Sequence, residues 1–152
     1  MLVIFAVAFV LPSFVFQAPP AGKAPQSTRD TAAFVQIASE RNSEAKKRLA
    51  LNFEKNFPKS KHLPDVYIQL SRVLVSQSDF TAAKQYAEKA VSAVRRLQGA
   101  PPENADRAWH EWVNTLESSA GSNLAWVNQM LAWQQQQVRS AVVGRTSVVS
   151  PK

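Results

Sequence analysis

The sequence predicts an all-α protein built from about three antiparallel helical hairpins. Apolar side chains recur every three or four residues through most of the chain after residue 30, which is the spacing of one face of an α-helix. One predicted helix carries a row of alanines opposite the bulky side chains of the helix before it, as in a closely packed hairpin. No stretch alternates apolar and polar residues for long enough to predict a strand.

Residues that start and stop helices divide this pattern into elements. Ser43 is the predicted N-cap of the second helix, Pro58 ends it, and Pro64 suits the first turn of the third. Residues 77–79, Gln-Ser-Asp, predict a tight connection. The expected helices are 30–40, 43–57, 64–76, 80–97, 103–119 and 123–142, within a domain of residues 27–143 that is followed by a disordered tail at 144–152.

The predicted hairpin core lies between the third and fourth helices. Large side chains on the third fill the space that small ones leave open on the fourth. The stripes are Tyr67, Leu70, Val73 and Leu74 on the third helix, and Ala83, Ala87, Ala90 and Val94 on the fourth. Trp109, Trp112, Met130 and Trp133 also have helical spacing, so we interpret the tryptophans as core residues, with an exposed aromatic patch as the alternative.

The N-terminal segment is predicted to lie outside the fold. Residues 1–16 carry no charge, are interrupted by Pro12, and precede a stretch rich in Pro and Ala. An uncharged run of sixteen residues suits a signal peptide better than a membrane span, which takes about 20. We therefore interpret residues 1–26 as a signal peptide with a linker and expect an exported, extracytoplasmic protein, although no basic residue precedes the apolar run. An uncleaved membrane anchor and a buried helix are the alternatives.

Composition predicts neither catalysis nor a cofactor. The 152 residues include no Cys and 2 His, which excludes thiolate metal sites and a Cys nucleophile. His110 and Glu111 begin like a zinc-protease motif, but Asn114 stands at the second histidine position, so no metal site is predicted. The four glycines are isolated, so there is no phosphate-binding loop. We expect a binding protein and not an enzyme.

Charge predicts a second, alternative function. The net charge is +7, and residues 41–61 hold seven basic side chains against two acidic ones. Such a patch suits phosphate groups, so a basic module for nucleic acid or an anionic membrane surface is the alternative. Nucleic acid is the less favoured partner, because no aromatic side chain is interleaved with the basic ones on the exposed face. The patch is Arg41, Lys46, Lys47, Arg48, Lys55, Lys59 and Lys61.

Residues 66–96 resemble a tetratricopeptide repeat (TPR), the helix–turn–helix unit of a family of α-solenoids. Ser78-Asp79-Phe80 resembles the Gly-Asp-Tyr turn of that family, while Ser71 and Ala87 depart from its usual Gly and large residue. The matching positions are Tyr67, Leu70, Ser71 and Leu74, then Ala83, Ala87 and Ala90. The resemblance implies that the hairpins stack as a short right-handed array, a TPR-like α-solenoid. It also implies an adaptor that binds a peptide or protein without catalysis.

Two further segments extend the resemblance. Residues 103–142 repeat the spacing in weaker form, from Trp109 and Trp112 to Ala125 and Ala132, and are predicted as a degenerate second repeat after the best one at 64–97. Residues 53–60 are similar to a linker in bacterial envelope TPR proteins of the outer-membrane-assembly and Tol-Pal-associated kind. This similarity implies a periplasmic, cell-envelope location.

The first helix of each hairpin in such an array lines the concave side, so the resemblance also predicts a binding groove. Arg72 and Asn114 are predicted to hold a carboxylate or the backbone of a bound peptide. The alternative is that the groove positions are ordinary exposed residues. They are Ile68, Arg72, Val75 and Ser76 on the third helix, and His110, Asn114 and Glu117 on the fifth.

Overall fold

The computed structural model describes residues 26–146, and within them every regular element is an α-helix. The all-α class is therefore confirmed for this part of the chain. The predicted N-terminal export segment and residues 147–152 lie outside the described residues. The helices are α1 (Gln26–Ser39), α2 (Ser43–Asn56), α3 (Leu63–Ser76), α4 (Phe80–Gly99) and α5 (Arg107–Thr146).

Helix ends follow local capping chemistry. Asn42, and not the predicted Ser43, caps α2, because its side chain accepts the Ala45 N–H at 2.9 Å. Asp79 caps α4 in the same way through Ala82 N–H at 3.0 Å. Helix α1 begins at Gln26, four residues earlier than expected. The α3 and α4 boundaries lie within two residues of the predicted ones.

Helices α3 and α4 form the hairpin that the alanine row predicts. Ala83, Ala87, Ala90 and Val94 are all buried, and so are the predicted large residues of α3. The core extends from this hairpin to Ile37 of α1, Phe53 of α2 and the first half of α5. Helix α3 touches all four other helices, so it is the centre of the described structure.

Tyr67 also takes part in a hydrogen-bond network that connects α2, α3 and α4. Its hydroxyl donates to Glu54 Oε1 of α2 at 3.0 Å, and Lys89 of α4 reaches the same oxygen at 2.8 Å. Burial first, and then the Glu54 carboxylate, raise the pKa of Tyr67 to about 12. The phenol therefore remains a hydrogen-bond donor at any physiological pH.

The prediction of two helices at 103–119 and 123–142 is wrong. Asp106 starts α5 by accepting the Trp109 N–H at 2.8 Å, and the helix then continues without a break to Thr146. A 40-residue helix is about 60 Å long. The degenerate repeat is therefore not a third hairpin: the described chain contains two hairpins and one long helix. The predicted disordered tail begins too early, because residues 144–146 are helical.

Candidate functional site

A groove runs along α3 between α1 and α2 on one side and α5 on the other. One part is a cavity of about 510 Å³, lined by Ala38, Lys46, Asp65, Ile68, Gln69, Arg72, Val73, Ser76 and Ser119. A second part of about 430 Å³ is lined by Arg72, Ser122, Asn123 and Trp126. Arg72 lines both parts, and we refer to them together as the α3–α5 groove.

Asn123 provides an unused hydrogen-bond acceptor in the wall of this groove. The side chain is only 3% exposed. Its Nδ2 donates to Ser71 Oγ at 3.1 Å, and Ser71 Oγ donates to the Ala83 carbonyl at 2.9 Å. These two bonds fix the orientation of the amide. Asn123 Oδ1 has no partner among the described residues, although buried polar atoms are nearly always paired.

Two cations and one acid line the groove. Arg72 is exposed and Lys46 is half-buried, and neither has an ion-pair partner within 4.0 Å among the described residues. Asp65 is also half-buried, and burial raises the pKa of its carboxyl group above the ordinary value. The excess of positive charge favours an anionic group beside Arg72.

The predicted groove residues of α3 are only partly placed in the groove. Arg72 and Ser76 line it and are exposed. Ile68 also lines it, but it is 4% exposed and belongs to the buried core, so it does not lie off the core stripe as predicted. Val75 is half-buried and packs against the core.

The predicted groove residues of α5 lie on a different side of that helix. Glu117 Oε2 accepts a hydrogen bond from Gln98 Nε2 at 2.8 Å, and it lines a small cavity with Arg95 of α4. His110 and Asn114 share the stripe of Glu117 by helical spacing, so all three are turned towards the α4 side. The residues of α5 that line the groove are Ser119, Ser122, Asn123 and Trp126.

Sequence reasoning missed Asn123 because it placed a helix start at this position. The available signal was a polar residue on an otherwise apolar stripe, at spacings of three and four from its buried neighbours. That stripe consists of Val113, Leu116, Ala120, Asn123 and Val127. A single polar member of a core stripe predicts a buried hydrogen bond, which is what Asn123 makes.

The predicted basic patch does not lie on one surface. Lys46 enters the groove, whereas Arg48 and Lys55 lie on the opposite, exposed side of α2 by helical spacing. Lys47 is half-buried and donates to Gln77 Oε1 at 3.2 Å. Arg41, Lys59 and Lys61 are exposed in the connections on either side of α2. A nucleic-acid surface of all seven residues is therefore not assembled.

The tryptophans divide into two pairs. Trp109 and Trp112 are half-buried against the core, in line with the packing interpretation. Trp126 is 41% exposed and Trp133 is 55% exposed, so for these two the packing interpretation is wrong. Both exposed tryptophans belong to the part of α5 that begins at the groove.

No candidate metal site is assembled in the described part of the chain. Residues 26–146 contain no group of three His, Asp or Glu side chains arranged to hold a metal ion. His62 instead stacks on Phe34 with ring centroids 4.6 Å apart. None of the five described helices combines the length and apolar character required to cross a membrane.

Comparison of the chain with protein-family models, with curated proteins and with solved structures gave no match. The TPR resemblance therefore depends on the residues quoted for it above.

Proposed function

We propose that this protein is a non-catalytic interaction adaptor of the TPR type, which binds a segment of another protein in the α3–α5 groove. The observation that carries the proposal is Asn123 Oδ1, a buried acceptor without a partner in the described structure, beside the exposed guanidinium of Arg72. A carboxylate in the groove would pair with Arg72, and a local shift of the groove wall that uncovers Asn123 Oδ1 would let this oxygen accept a peptide N–H.

The helix contacts support the TPR part of the proposal. Helix α2 packs on α3 as well as on α1, and α4 packs on α5 as well as on α3. Each hairpin therefore contacts the next element through its second helix, which is the nearest-neighbour packing of helical arrays. In this assignment α5 corresponds to the first helix of a third unit. The side of α5 that packs against α3 and α4 completes the core.

Export to the cell envelope is part of the same proposal. It depends on the uncharged run of residues 1–16 and on the linker similarity at residues 53–60. N-terminal sequencing of the protein recovered from its own cells tests it. A mature chain beginning between residues 17 and 27 supports export, and a cytoplasmic chain that begins at Met1 contradicts it.

Substitution of Asn123 separates binding from folding. Leu has the same branched heavy-atom skeleton and removes the unpaired acceptor together with the bond to Ser71, so we expect Asn123→Leu to change the free energy of unfolding by no more than about 1 kcal/mol. We expect the same substitution to remove a bound partner. Asn114→Leu is the matched control, because Asn114 is exposed on the α4 side of the same helix.

The measurement is crosslinking in the native cell, followed by quantification of the captured partner for each variant. Arg72→Gln should reduce capture and Arg48→Gln should not, since Arg48 lies on the outer side of α2. Equal capture by Asn123→Leu, Arg72→Gln and the two controls contradicts groove binding. Far-UV circular dichroism confirms that each variant remains helical.

A further inference from the structure

An apolar ridge continues the groove along α5. Trp126 lines the groove, and Met130 and Trp133 follow it at the i+4 and i+7 positions, on one side of the helix. Met130 is half-buried, whereas the two tryptophans are 41% and 55% exposed. We call these three residues the α5 ridge. Between residues 128 and 141 no side chain of α5 is buried.

The spacing of the ridge matches a helix better than an extended strand. At about 1.5 Å per residue, the three side chains lie about 6.0 and 4.5 Å apart along the axis, a mean of about 5.2 Å. An opposing helix repeats one face every 3.6 residues, about 5.4 Å. A strand repeats one face every two residues, about 6.6–6.8 Å. Its side chains would therefore no longer lie opposite the ridge side chains by the third position, Trp133.

Charge further restricts the partner. From Ser118 to Thr146 the sequence of α5 contains no Asp or Glu, and Arg139 adds a positive charge. At the groove end of the ridge, Arg72 lines the same cavity as Trp126, and Lys46 lies in the adjoining part of the groove. A complementary segment is therefore acidic at the end that meets Arg72 and apolar along the ridge.

We infer that the α5 ridge and the α3–α5 groove form one docking surface for an amphipathic, acidic α-helix of another protein. Its apolar stripe lies on Trp126, Met130 and Trp133, and an acidic side chain at one end pairs with Arg72. The inference rests on the proposed function and adds the conformation, polarity and charge of the bound segment. Two helical turns separate Trp126 from Trp133, so a segment of about three turns covers the surface.

A synthetic peptide tests this inference. The probe is an Ala- and Gln-based 15-residue peptide with Leu at three positions spaced i, i+4 and i+7, and two Glu residues in the turn next to one end. One comparison peptide has the same composition with the Leu residues distributed around the helix, and another has Lys in place of Glu. Fluorescence anisotropy of a labelled peptide, titrated with the full chain, gives each dissociation constant.

We expect the patterned Glu peptide to bind saturably and at least tenfold more tightly than either comparison peptide. Trp133→Ala should weaken it about tenfold or more, because an exposed anchor is removed. Val138→Ala is the matched control: Val138 is 59% exposed, but lies about 140° around the helix from Trp133. Arg72→Gln should remove most of the preference for Glu over Lys.

Four results would overturn the inference. The first two are the absence of saturable binding of the patterned peptide up to 1 mM (about −4 kcal/mol) and equal binding of the peptide with distributed Leu. The third is an oligomer of the full chain that Trp133→Ala converts to monomer. The fourth is Trp133-dependent binding to vesicles of phosphatidylglycerol and phosphatidylcholine in the absence of peptide binding.

Failure here is distinguishable from failure of the proposed function. If the partner captured in cells is lost in Asn123→Leu but retained in Trp133→Ala, the groove is the binding site and the ridge is not part of it. If capture is lost in both variants and retained in Asn114→Leu and Val138→Ala, both proposals are supported.

Discussion

Ser78 has a backbone conformation that usually requires glycine. Its φ angle is +62°, in the left-handed region. The residue ends α3 through two reversed hydrogen bonds, Ser78 N–H to the Val75 carbonyl at 2.9 Å and Asp79 N–H to the Leu74 carbonyl at 2.9 Å. This is a Schellman motif, which explains why Ser78 corresponds to the Gly position of the TPR turn it resembles.

Ser78→Gly should therefore stabilise the protein. The left-handed conformation costs an L-residue about 1–2 kcal/mol, and the greater freedom of Gly in the unfolded chain offsets part of the gain. We expect the free energy of unfolding in urea to rise by about 0.5–1 kcal/mol. Ser92→Gly, at an exposed position inside α4, is the control and should lower it. A decrease for both substitutions contradicts the strain argument.

His62 holds α1 against the start of α3. Its ring stacks on Phe34, and its Nε2 lies 3.3 Å from Thr31 Oγ1. Burial first, and then the positive charge of Lys61, lower the pKa of His62, while Asp30 acts in the opposite direction. On acidification the unfolded state therefore takes up this proton before the folded state does.

Stability should fall as the pH drops below about 6.5, the ordinary pKa of histidine, towards the lower pKa of the folded state. Above that range the contribution of His62 is fully present. We expect the free energy of unfolding to decrease from pH 7.5 to 5.0, and to decrease less in His62→Gln. The pKa of Asp65 is raised, so its contribution to the free energy of unfolding changes with pH in the opposite direction. Asp65→Asn is therefore measured in parallel. Equal pH slopes for wild type and His62→Gln contradict the assignment.

At the scale of elements, α5 shows how packing overrides a local break signal. Ser118, Ser119, Gly121 and Ser122 are weak helix formers that stand close together on either side of Ala120. Ala120 and Asn123 nevertheless continue the buried stripe of α5 across this segment. A break here would remove both from the core, so the helix continues, with Gly121 on its exposed side.

Gly121→Ala should stabilise α5. An added Cβ meets no atom within 4 Å, and alanine is better than glycine inside a helix by about 0.5–1 kcal/mol. We expect a rise of that size in the free energy of unfolding in urea. Gly99→Ala is the control: its Cβ is equally unobstructed, but Gly99 is the last residue of α4, where the gain should be smaller. A loss of stability in Gly121→Ala contradicts a continuous helix.

At the scale of the whole molecule, the core does not extend into the distal part of α5, the residues beyond Gln134. Among residues 27–141, for which burial is described, every buried residue lies between Asp30 and Val127. The core joins all five helices, and α1 contributes to it through Ile37 with partly buried Ala33 and Phe34. The residues of α5 beyond Gln134 are exposed as far as the description of side chains extends, to Ala141.

Removal of residues 135–152 should therefore leave the fold intact. We expect the free energy of unfolding to change by less than about 0.5 kcal/mol, as for surface changes that touch no core contact. Removal from residue 123 onward is the control. It deletes Asn123 and Val127 from the core and should cost several kcal/mol. A loss above about 2 kcal/mol for the shorter truncation would show that the distal part of α5 supports the core.

The site was predictable only in part. Arg72 was identified from the sequence. It lies off the core stripe of α3, the first helix of its hairpin, and such residues are expected to face the groove. The α5 side was assigned incorrectly, since the sequence does not state the rotation of α5 about its axis relative to α3. That rotation depends on which stripe packs against α3 and α4, and Asn123 is a member of that stripe.

The sequence by itself determined that the described elements are α-helices, that α3 and α4 form a hairpin through small alanines, and that Ser78 and Asp79 make the turn between them. These features depend on side-chain spacing and capping within a few residues, so they are local. Only the tertiary structure decided that α5 is one helix and which of its faces meets the groove. Both depend on contacts between residues more than 50 positions apart, such as Ser71 and Asn123, whose packing outweighs the weak helix propensity of residues 118–122.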